Sequence, residues 1–136
     1  MAKESIIIKS PAEIELMRQA GRITAGARSI ARQGIADGVS TKEIDKAVNE
    51  FIRKSGAIPT FKGYGGFPGS ACISVNDVVI HGIPGKRIIH NGDIVSVDVG
   101  ATYKGFVGDC AGTYPCGEIS DEAKKLIEVT RQSFFE

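Results

Sequence analysis

The sequence predicts an α+β chain: two long helices, then antiparallel strands, then the beginning of a third helix. Three observations carry that expectation. Two capping boxes each open an apolar stripe of helical period; a Val- and Ile-rich middle is broken by short turn dipeptides; and a further helical stripe starts at Ser120 and runs to Glu136.

Ser10-Pro11-Ala12-Glu13 supplies a cap, a proline suited to the first helical position and a reciprocal glutamate. Ile14, Met17, Ala20, Gly21, Thr24, Ala27 and Ile30/Ala31 then recur at helical spacing toward a stop near Gln33-Gly34, with Gly21 and Gly26 offering room for close packing. Ser40-Thr41-Lys42-Glu43 repeats the box, and Ile44, Ala47, Val48, Phe51 and Ile52 form the core stripe of a helix closed by Gly56. Residues 57–73, with four glycines and two prolines, read as loop; Pro68 stands where a dinucleotide fingerprint needs its third glycine. Ile73–Ile80 reads as a strand, and His81-Gly82-Ile83-Pro84-Gly85 as a turn. Arg87–His90, Asn91-Gly92 and Asp93–Ala101 read as strand, hairpin turn, strand, with Phe106–Tyr114 the next strand. Ala123, Leu126, Ile127, Thr130 and Phe134 mark the third helix.

The 136 residues suit one small domain or a piece of a larger one, and 42% hydrophobic with 24% charged residues argues against disorder. Seventeen basic against 16 acidic residues give a net charge of +1, which removes the electrostatic case for nucleic acid or an anionic membrane as partner. No apolar run approaches the roughly 20 residues of a membrane span, and Ile6–Ile8 is too short for the core of a signal peptide. Cys72, Cys110 and Cys116 are read as free thiols in a reducing, cytoplasmic setting. Cys110 is expected in the core, Cys116 is expected to be inert, and His90 is expected to be exposed. Asp93 is read as ordering the Asn91-Gly92 turn.

Asp98 and Asp109 each sit inside an apolar strand, where a carboxylate is costly unless compensated. A turn centred on Tyr103-Lys104 puts them directly opposite, with Cβ atoms roughly 4.5–5.5 Å apart; one centred on Lys104-Gly105 makes them diagonal neighbours on one face. A shared proton, a basic partner or divalent metal would relieve the repulsion, and two ions about 3.5–4 Å apart suit such a spacing. The alternative is an open, solvated sheet face.

The run Phe67-Pro68-Gly69-Ser70-Ala71-Cys72-Ile73-Ser74-Val75-Asn76-Asp77, then His81-Gly82-Ile83-Pro84, Gly92–Gly100 and Gly108-Asp109, closely resembles the type I (bacterial-type) methionine aminopeptidases. The resemblance extends over essentially the whole chain. It implies half of a pita-bread fold, with residues 1–119 as the N-terminal lobe and 120–136 as the start of a helix linking to a second lobe. It implies Asp98 and Asp109 as ligands of two divalent ions (cobalt, manganese, iron or zinc), Asp109 bridging both. His81 corresponds to the histidine beside the scissile peptide. Phe61, Tyr64, Phe67 and Cys72 correspond to the pocket for the methionine side chain, a soft slot for a thioether. The family's activity is removal of N-terminal methionine from nascent chains with a small second residue, by attack of a hydroxide bridging two metals.

In that family one histidine and two glutamate ligands, and a second catalytic histidine, lie in the other half of the chain. This sequence is therefore expected to carry only part of the site and to be weakly active or inactive alone. The rival reading is a non-catalytic half or binding module that self-associates through its exposed face as a homodimer, or pairs with a complementing C-terminal half. A related peptidase acting on X-Pro or creatine-like substrates is disfavoured by the pocket aromatics and the His81–Pro84 turn.

Overall fold

A computed structural model describes residues 6–136; of the expectations above, only that for the first five residues of the Met1–Ser10 segment falls outside it. Helix α1 (Pro11–Gly34) and helix α2 (Thr41–Lys54) both begin with complete capping boxes, at Ser10/Glu13 and Ser40/Glu43. Ser120 caps α3 (Asp121–Phe135) by accepting the Ala123 N–H. Among the described residues no helix is long and apolar enough to cross a membrane.

The sheet is antiparallel and centred on one long strand. Strand β1 is Ile58–Pro59, β2 Ala71–Val75, β3 Ile94–Tyr103 and β4 Phe106–Pro115. β1 and β2 share one side of β3, while β4 pairs along its whole length on the other. Tyr103 pairs with Phe106 across Lys104-Gly105, both with positive φ (47° and 85°), which is the two-residue turn that matches strand twist.

The core lies between this sheet and the two helices. Val95, Val97, Val99 and Ala101 of β3 are fully buried on the helix side, against Ala27 and Ala31 of α1 and Ile44, Val48 and Ile52 of α2. The inner stripe of α1 is made of small residues, Ala20, Thr24, Ala27 and Ala31, which lets the helix approach β4 closely: a Cβ on Gly108 would meet Thr24 and the Ala20 carbonyl. Gly26 likewise admits the Phe51 ring, whereas Gly21 faces open space.

Several expectations need correction. Ile14 and Met17 are 45% and 40% exposed, because α1 extends past the sheet at its N-terminal end and only its small residues are buried. The strand expected over Ile73–Ile80 spans Ala71–Val75 instead; Asn76 has φ 55° and Val78 N–H donates to the Val75 carbonyl, so the chain turns away. Arg87–His90 is not a hairpin strand. Ile89 exchanges backbone hydrogen bonds with Gly38 and Val39 ahead of α2, a distant partner that outcompetes β3. Asn91-Gly92 is a turn closed by Asp93, whose carboxylate accepts the His90 N–H and the Asn76 amide. Cys110 is half-buried rather than in the core. No α3 side chain is buried among the described residues, so its apolar stripe is not a core face here.

Candidate metal centre and side-chain slot

The Lys104-Gly105 turn fixes the register: Asp98 pairs with Ala111, and Asp109 pairs with Gly100. The two aspartates are therefore diagonal neighbours on one face, the second of the two geometries the sequence allowed, with Cα atoms about 7–8 Å apart and side chains closer. That face points away from the helices. Gly100, opposite Asp109, has no side chain because the Phe61 ring occupies its place; a Cβ there would lie 2.6 Å from Phe61 Cε1.

Phe61 belongs to a loop wound tightly by left-handed glycines, Gly63 (φ 88°) and Gly66 (φ 82°), and closed by Gly63 N–H donating to the Phe67 carbonyl at 2.7 Å. Cys72 pairs directly with Asp98 across β2 and β3. His81, with φ 57°, is held beside β2 because Gly82 lies flat on it: Ile73 N–H donates to the Gly82 carbonyl at 2.8 Å, and Gly82 N–H to Ser74 Oγ at 3.1 Å. A Cβ on Gly82 would collide with the Ile73 carbonyl.

These local constraints bring Phe61, Tyr64, Phe67, Cys72, His81, Asp98 and Asp109 to the walls of one open depression of about 650 Å³. The sequence reading missed Thr60 and Ile83 at its rim, and Asp45, which lies behind it. Thr60 carries a signal only through its cross-strand hydroxyl pair with Thr102, 2.9 Å away. Cys110 and Cys116 do not line it, and His90 lies elsewhere, exposed against Asp37. A second hollow, between Ile8-Lys9 and Ile14, Met17 and Arg18, holds no carboxylate, thiol or imidazole.

Burial, then the neighbouring Asp109 charge, push the Asp98 carboxyl up to about 6, against a smaller opposing pull from His81. Asp109 is near enough to act on Asp98, and Asp98 Oδ1 is buried without a partner. Burial, then the charges of Asp98, Asp109 and Asp45, push the Cys72 thiol up to about 11, so it is a protonated, apolar lining group rather than a nucleophile.

An orphaned carboxylate oxygen facing a second carboxylate suits a hard or borderline divalent cation. Two carboxylates are only part of a closed coordination shell, and among the described residues no cluster of three or more His, Cys, Asp or Glu is placed to hold an ion. The residues fit one side of a metal centre.

Residues 15–136 match metallopeptidase family M24. The chain belongs to this family. Among its M24 relatives, methionine aminopeptidase 1 of Bacillus subtilis is 53% identical over 130 residues, covering 96% of this chain and 52% of that protein. Methionine aminopeptidase of Clostridium acetobutylicum is 54% identical over 131 residues, again 96% and 52%. The crystal structure of methionine aminopeptidase from Thermotoga maritima superposes with a TM-score of 0.91 at 45% identity, covering 94% of this chain and 52% of that one. The α+β fold is that of half a pita-bread structure. The M24 chain described here spans about half the length of the curated relatives it matches.

Proposed function

We propose that this M24 chain is the aspartate-bearing half of an enzyme that removes N-terminal methionine from nascent polypeptides with a small second residue, in the cytoplasm. The gathering of both aspartates, the aromatic slot and His81 around one depression carries the reading. Asp98 and Asp109 would hold two divalent ions (cobalt, manganese, iron or zinc). Such ions would supply acidified water and polarise the first peptide carbonyl. The remaining work belongs to the chain's own groups. Phe61, Tyr64 and Phe67, with the protonated Cys72 thiol, receive the thioether and exclude water around it. His81, on the rim, serves the scissile peptide, where an imidazole can give or take a proton. Residues 1–119 form the lobe that carries these groups, and residues 120–136 the helix that leads toward a second lobe. Asp98 and Asp109 are the ligands that this half would supply; a complete shell needs more, for which a complementing C-terminal half or a second copy are the candidate sources.

Two measurements test this. Manganese titration by calorimetry should show weak uptake by the chain and none by Asp98→Asn or Asp109→Asn; equal uptake by all three refutes the metal assignment. Met-Ala peptides with added manganese or cobalt should show little or no turnover. Turnover near that of an intact methionine aminopeptidase refutes the statement that the chain holds only part of the site.

A further inference from the structure

We infer that Asp45 is a positioning residue: its carboxylate clamps the start of β2 to α2 and so holds Cys72 and the aromatic loop against the Asp98–Asp109 face. The inference rests on the site reading above, because it concerns what keeps that slot in shape. Asp45 Oδ1 accepts the N–H of Ser70 at 2.7 Å and of Ala71 at 2.9 Å. Both residues are fully buried, so neither N–H has water as a substitute. One turn along α2, Asn49 Nδ2 donates to Ser70 Oγ at 2.9 Å, while its Oδ1 is fixed by Arg53 Nε at 2.9 Å. The packing of α2 is accounted for by Ile44, Val48 and Ile52; Asp45 and Asn49 form a separate polar row whose described bonds run to Ser70, Ala71 and Arg53.

The clamp acts where the site's two walls meet. Ala71 N–H points away from β3, and on that same outer edge Ile73 N–H donates to the Gly82 carbonyl. Just before Ser70, Gly69 lies so near Pro84 that a Cβ would stand 2.8 Å from Pro84 Cδ. Release of 70–71 therefore frees the segment that leads back to Phe67, the strand position of Cys72, and the contact that seats the His81–Pro84 turn. Hydrogen bonds to an ionised carboxylate are about twice as strong as neutral ones, which suits a strut that must hold two donors at once.

Cysteine alkylation by iodoacetamide, resolved site by site by mass spectrometry, tests this on the chain itself. Cys116, 2% exposed and outside the site, reports global opening; Cys72 reports the slot. In Asp45→Ala, Cys72 should react about tenfold faster or more while Cys116 stays within about twofold. Asp45→Asn, which keeps an oxygen acceptor, should bring Cys72 back to within about threefold of the parent. An unchanged Cys72 rate in Asp45→Ala, or equal acceleration of both thiols, overturns the clamp. If Asp45→Ala does not fold, Asn49→Ala, which removes only the second strut, should still accelerate Cys72 selectively, and a flat result overturns the clamp equally. A Met-Ala-Ser tripeptide should slow Cys72 alkylation in the parent and not in Asp45→Ala. Absence of protection in the parent refutes the thioether slot, while the ligand-free rates judge the clamp independently.

Discussion

Gly108→Ala should destabilise the protein through a collision set by the approach of α1 to β4. A Cβ on Gly108 would stand 2.5 Å from Thr24 Oγ1 and 2.7 Å from both the carbonyl carbon and oxygen of Ala20. Neither neighbour is free to give way. Thr24 is fully buried with its hydroxyl donating to the Ala20 carbonyl at 2.8 Å, and Ala20 presents helix backbone. One methyl group can enter only if the helix lifts off the strand, and overpacking of this kind costs about 1–3 kcal/mol. A chain of this length gains roughly 0.29 kcal/mol per kelvin of unfolding entropy near its midpoint, so the melting temperature should fall by about 3–10 °C. Gly21→Ala is the matched control. It lies on α1, the helix that packs over Gly108, with nothing within 4 Å of its Cβ, and alanine is favoured over glycine in a helix interior by about 1 kcal/mol, so this variant should melt roughly 3 °C higher. Thermal unfolding followed by circular dichroism reads both. A Gly108→Ala midpoint equal to the parent's, or a Gly21→Ala midpoint below it, would refute the packing argument. The collision also reaches the site, since Gly108 immediately precedes Asp109.

The raised Asp98 pKa gives a pH signature. A group whose folded pKa exceeds its unfolded value contributes its full relative stability below the unfolded pKa of about 3.8, and loses it as pH rises through about 6. In chelator, the urea midpoint of the parent should therefore gain less, or fall more, between these pH values than that of Asp98→Asn; parallel curves would sink the assignment. Ser40→Ala removes the hydroxyl that accepts the Glu43 N–H and should cost about 1 kcal/mol, a fall of roughly 3 °C, with no loss in α1; an unchanged midpoint would show that the α2 cap adds nothing.

Signals that act within a few residues were legible in the sequence. The caps of α1 and α2, at Ser10/Glu13 and Ser40/Glu43, are written in four consecutive residues each. The turn between β3 and β4 was legible only as a turn: its centre stayed open between Tyr103-Lys104 and Lys104-Gly105, because a lysine does not announce the left-handed position that Lys104 takes at φ 47°. Signals that depend on a distant partner were misread. Asn91-Gly92 is the dipeptide of a hairpin, yet the strand expected before it is taken by backbone groups at Gly38 and Val39, some fifty residues away. The apolar run Val78-Val79-Ile80 carries β-propensity without burial; Val79 is 86% exposed, and the left-handed Asn76 has already ended the strand.

The same distinction explains which site residues were legible. Asp98 and Asp109 stand out because a carboxylate in a strand whose neighbours are valine and glycine violates the local pattern, and the violation is physical: one carboxyl oxygen of Asp98 is left buried without a partner. Phe61 and the glycines around Tyr64 stand out because helix or strand cannot use them. Asp45 violates nothing. On an amphipathic helix a carboxylate at the edge of the apolar stripe reads as solvated, and its partners are backbone N–H groups, which every sequence has and no sequence displays. Candidate site residues are thus conspicuous by their local cost. Residues that hold them in place become visible only when the fold shows which buried donors would otherwise go unpaired.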